Sequence, residues 1–79
     1  MHPMATYEAG DYVKIDIADE ARGESEWLWI RVARCDCANR TVFGMLDNQP
    51  LVFADELKLG QELAVSFDNI RDHRKPSDF

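Results

Sequence analysis

The sequence predicts an all-β domain: a small, strongly bent antiparallel sheet, or an SH3-like or OB-like barrel, of about five strands. Three observations lead there. Apolar residues alternate with polar ones at Val13, Ile15 and Ile17, at Leu28, Ile30 and Val32, and at Leu63, Val65 and Phe67, which is the period of a strand with one face buried. Turn-forming clusters punctuate these runs at short intervals. The chain has only 79 residues, so one sheet must close over its own core.

The first strand follows Gly10-Asp11 and covers Tyr12 to Ile17; its β-branched residues suit a pleated, half-buried surface. Residues 18–25 are charged, contain Gly23 and lack an apolar period, which predicts a hairpin loop. The second strand, Glu26 to Cys35, sets Leu28, Ile30 and Val32 on one face and Trp27, Trp29, Arg31 and Ala33 on the other. Apolar groups on both faces at its start are what a sheet curling on itself requires. Asp36 to Arg40 then turns the chain, with Asn39 suited to a left-handed conformation, into a third strand, Thr41 to Leu46. Gly44 inside that strand signals a bulge or a close approach of backbone.

Asp47-Asn48-Gln49-Pro50 is a concentrated turn signal, because Asp and Asn bond their own backbone and proline restricts the residue before it. Leu51-Val52-Phe53 reads as a very short strand and 54–59 as one short helical turn; an α+β roll is the alternative if Phe53 to Leu59 forms a real helix. Gly60 precedes the last strand, and Ile70 closes the core. The expected organisation is a flexible leader over 1–9, a single β domain over 10–70 and a polar tail over 71–79.

Nine basic against 15 acidic side chains give a net charge of -6, a field that repels phosphate backbones, and no Lys/Arg cluster offsets it. Nucleic acid and anionic membrane surfaces are therefore not expected partners. The longest apolar run is Trp27-Leu28-Trp29-Ile30, far short of a membrane span. The first residues carry neither a basic segment nor an apolar one of the secretory kind, so the expected location is the cytoplasm.

Cys35 and Cys37 stand two apart. In an extended strand that spacing puts their Cα atoms about 6.5–7 Å apart, the outer limit for a disulfide, so reduced thiols are expected. Two cysteines with only His2 and His73 as further soft ligands do not make a metal site, and no cofactor is expected. Ser25, Ser66, Ser77 and the two cysteines are the available nucleophiles, and none has a catalytic motif around it, so the chain is not expected to be an enzyme. Trp27 and Trp29 either fill the barrel or line a groove. An exposed aromatic pair near Tyr12 or Phe43 would look like the peptide groove of SH3-like modules, which docks proline-rich ligands.

In order, Gly10 to Ile15, Glu26 to Val32, Gly44 to Pro50, Leu59-Gly60-Gln61 and Ile70 to His73 resemble the bacterial family called domain of unknown function 2314, over roughly residues 10–73. The resemblance maps an E-x-x-W motif onto Glu26 and Trp29, a G-x-L-x-N-x-P motif onto Gly44, Leu46, Asn48 and Pro50, and a closing I-x-D onto Ile70 and Asp72. His73 stands where the family usually has tryptophan. The family brings no activity with it; what the resemblance implies is an accessory or interaction role beside other bacterial modules.

The leading expectation is a non-enzymatic protein-interaction or accessory module, of the immunity or antitoxin kind, with Glu26, Trp29, Asn48 and Pro50 as its binding patch and a protein partner. It requires that Trp29 and Asn48 not be buried on opposite sides of the core. The alternative is a small-ligand or hydrolytic domain using Glu26, Asp47 and His73. A third is a structural, self-associating domain that dimerises through an edge strand such as Tyr12 to Ile17.

Overall fold

The computed structural model describes residues 7–78; the first six residues of the predicted leader, and the last of the predicted tail, lie outside the described residues. The fold is one antiparallel sheet of β1 (Tyr12–Asp19), β2 (Glu24–Asp36), β3 (Thr41–Leu46), β4 (Glu62–Ser66) and β5 (Ile70–Arg74). The strand order is β4-β3-β2-β1-β5. Four strands follow as a meander, a single 3-10 turn at Phe67–Asn69 reverses the chain, and β5 returns beside β1. Of the predicted alternatives this is the small antiparallel sheet, with β4 and β5 as its outer strands.

The bend lies in β2. Its first part, Glu24 to Arg31, pairs with β1, and Ile30 to Asp36 pairs with β3. Between Val32 and Arg34 the register with β3 slips, and an extra residue turns every following side chain to the other face. Leu28, Ile30 and Val32 thus face the core, and after the slip it is Cys35 that packs there. Val13, Ile15, Val42, Leu46 and Val65 complete one buried cluster. Gly44 sits opposite the slip. A Cβ there would overlap the Arg31 carbonyl oxygen and come within 2.7 Å of Ile30 Cγ2, so the predicted close approach is real and the bulge lies on the partner strand.

Several sequence expectations shift. The β1–β2 hairpin is tighter than predicted, because the strands run on to Asp19 and Glu24. Arg22 Nε bridges the carboxylates of those residues at 3.0 and 2.9 Å, and Gly23 takes the positive φ of 67° that the turn needs. In the next hairpin the left-handed residue is Arg40 (φ 51°), not Asn39; Asn39 instead donates its Nδ2 to Asp36 at 2.8 Å. Residues 51–53 are not a strand, and Phe53 to Leu59 forms no real helix, so the α+β alternative falls and the one short helical turn remains. A single turn closes there, with the Leu57 and Glu56 amides donating to the Phe53 carbonyl at 2.9 and 3.1 Å. Pro50 and Phe53 of this loop are buried, and Leu57 packs against the core cluster.

The predicted tail contains β5, which pairs with Tyr12 to Ile15 of β1. It escapes the alternation test because its register slips between Lys14 and Ile15: Ile70 and His73, three apart, oppose the inward residues Ile15 and Val13. Consequently β1 is not an edge strand over that stretch, and the edges of the sheet are β4 and β5. At the other end of the predicted domain, Tyr7 packs on the core, edge-on to Phe67 at 4.9 Å and against His73 at 4.7 Å. No helix among the described residues is long and apolar enough to cross a membrane.

Candidate functional site

Glu26 lies near the start of β2 on the core face, two residues before Leu28. Its carboxylate accepts three consecutive amides of the loop, Leu51 on Oε2 at 2.8 Å and Val52 and Phe53 on Oε1 at 2.9 and 3.1 Å. A run of amides converging on one anion is a favourable arrangement for charge. The hydrogen bond from Leu51, reinforced by those from Phe53 and Val52, holds the Glu26 carboxyl below the usual range. Because the folded-state value is depressed, this stabilisation is present above the ordinary carboxylate pKa and is lost as pH falls through the folded value. Glu26→Gln is therefore expected to lower the urea midpoint at pH 7, with the two proteins converging in acid.

Asn48 Oδ1 accepts the backbone amide of Trp29 at 2.6 Å, and the Asp47 amide donates to the Trp29 carbonyl at 2.8 Å. β3 has ended at Leu46, so the Asn48 side chain continues the β2–β3 ladder where the backbone leaves it. Of the four residues singled out from the sequence, Asn48 and Trp29 are bonded to each other, while Glu26 bonds the amides that follow Pro50. Glu26 and Asn48 pin the 47–53 segment to β2, Pro50 within it is buried, and Trp29 is the one whose side chain points to the other, outer face. Asn48→Ala would strand the Trp29 amide, at an expected cost of about 2 kcal/mol in urea unfolding. Asn48→Asp, which keeps the acceptor, is expected to recover most of that loss.

What this clamp presents is a cleft of about 190 Å³ lined by Tyr12, Trp29, Asp47, Asn48 and Pro76. Lys14 opposes Trp29 across β1 and β2, and its Nζ lies 4.8 Å from the Trp27 ring and 5.5 Å from the Trp29 ring, a bridging cation between two indoles. Trp27 is 58% exposed, so the indole beyond the cleft offers a large apolar surface to solvent. Tyr12 is the neighbour the sequence offers for an aromatic groove, whereas Pro76 is not among the residues it singles out. Tyr12 is diagonal to Trp29 on the same face, a relation visible only once the hairpin register is known, and Pro76 is carried there by the strand that the alternation test does not reveal.

The trio Glu26, Asp47 and His73 is not assembled around this cleft, whose lining includes Asp47 alone. Glu26 is engaged by the loop amides, and His73 Nε2 donates to Asp11 at 2.8 Å. Asp11, only 2% exposed, also accepts Lys75 Nζ at 2.9 Å and the Glu8 amide at 3.1 Å. Burial alone would raise its pKa, but the hydrogen bonds from His73, Lys75 and the Glu8 amide outweigh it and hold the carboxyl below its ordinary range.

The fold and the clamp define a small all-β domain, one five-stranded antiparallel sheet with an aromatic cleft on its outer face. The chain belongs to the family described as "Uncharacterized protein conserved in bacteria (DUF2314)", whose model matches residues 4–77. No curated protein and no solved structure matches it.

Proposed function

We propose that the chain is a non-enzymatic protein-interaction module. It docks an extended, proline-bearing, positively charged segment of a partner protein in the cleft between Tyr12, Trp29 and Pro76. The observation that carries this reading is the cleft itself: flat aromatic and proline walls, an acid at the rim in Asp47 and a half-exposed indole next door. Such walls suit a polyproline segment, which reaches its site already extended and loses little entropy there. At about 190 Å³ the cleft is smaller than the roughly 300–1,000 Å³ of small-molecule pockets, which favours one or two side chains over a whole ligand. A net charge of -6 favours a basic partner and speeds the encounter with it. An accessory role of the immunity or antitoxin type, in the cytoplasm, is consistent with both.

The test is a titration of the 15N-labelled protein with a short peptide of prolines flanked by arginines. Shifts are expected at Tyr12, Asp47, Asn48 and the Trp29 indole, with affinity falling as salt is added and about threefold weaker binding for Asp47→Asn. Absence of shifts, or shifts confined to another face, would overturn the reading.

A further inference from the structure

Cys35 and Cys37 are closer than their spacing in an extended strand allows. Cys35 belongs to the last turnward residues of β2, and Cys37 opens the 3-10 turn Cys37–Asn39. Asp36 between them leaves the strand conformation, with φ -104° and ψ 87°. The bend brings the two sulfurs to 3.2 Å, one thiol sharing its proton with the other. Neither is in a disulfide. Cys37 is exposed, whereas Cys35 is half-buried against the core.

We propose that Cys35 and Cys37 form a vicinal dithiol site for small disulfides of the glutathione class, which it reduces while closing into an intrachain disulfide. The exposed Cys37 thiolate attacks one sulfur of the small disulfide, forming a mixed disulfide and expelling one thiolate. The Cys35 thiolate then attacks Cys37 Sγ and expels the second. Two protein thiols and one small disulfide become one protein disulfide and two small thiols, with both thiol protons ending on the products. The order of attack follows from exposure. Burial, reinforced by the hydrogen bond with Cys37 and the nearby Asp36 charge, pushes the Cys35 thiol above its ordinary pKa, so Cys35 suits the second, intramolecular step, for which the adjacent sulfur supplies a high effective concentration. A disulfide needs its sulfurs at about 2.05 Å, a short closure from 3.2 Å at a turn where Cys37 is open to solvent.

The site is tested on the full chain, folded, in oxidised and reduced glutathione mixtures quenched by alkylation. Both cysteines fall in the tryptic peptide spanning residues 35–40. The expected product is that peptide short of two hydrogens, unalkylated and free of glutathione, while Cys37→Ser shows no such loss and Cys35→Ser accumulates a single glutathione on Cys37. A peptide bearing two glutathiones, a disulfide joining two copies of the chain, or one doubly alkylated under oxidised glutathione would each overturn the proposal.

Discussion

Gly44→Ala is expected to remove about 3 kcal/mol of stability, read as a fall in the urea midpoint. One methyl group does this because it has nowhere to go. The neighbouring backbone at Arg31 and the Ile30 side chain already occupy its place, and Ile30 is fully buried, so relief requires the β2–β3 ladder to open where β2 bends. A domain of this size holds only about 3–5 kcal/mol in its core, so the variant is expected to be largely unfolded at 37 °C. A Gly44→Ala protein with the wild-type midpoint would mean that the two strands are farther apart than described.

Asp11→Ala is expected to cost about 2 kcal/mol and to loosen the two chain ends together. The buried carboxylate joins the Glu8 amide, His73 of β5 and Lys75, while the Asp11 carbonyl accepts the Val32 amide at 2.8 Å, so one residue ties both terminal segments to β2. Charge-assisted hydrogen bonds of this kind contribute about 1.5–3 kcal/mol each when buried, less here because Lys75 and His73 are partly solvated. Hydrogen exchange should accelerate in β5 before it does in β2 and β3. The sign of the pH dependence follows from the depressed carboxyl. Its contribution is complete above the unfolded carboxylate range and is lost as pH falls through the folded value, so the difference between wild type and Asp11→Ala should shrink in acid. A difference that grows in acid would contradict this.

β1 to β4 were legible because each alternates over most of the residues that meet the core, as Val13 and Ile15 do, and as Leu28, Ile30 and Val32 do before β2 slips. β5 was not, since it offers one apolar residue, Ile70, and its register slip hides the inward position of His73. The site was legible by residue and not by role. Glu26 and Asn48 stand out in the sequence, yet their partners, the amides of 51–53 and of Trp29, lie 19 to 27 residues away along the chain, and no local pattern reveals a side chain that bonds distant backbone. Extended geometry holds the two thiols apart, and the bend at Asp36 alone makes the difference.

On the proposed reading, Glu26 and Asn48 fix the 47–53 segment to β2, and Trp29, in the cleft wall, meets the partner segment. This division of roles is tested by comparing wild type with Trp29→Ala in binding to the arginine-flanked proline peptide, with urea unfolding of both proteins recorded in parallel. The expected result is a cooperatively folded Trp29→Ala that has lost binding. A folded Trp29→Ala that binds as wild type does, or a wild type that does not bind, would contradict it.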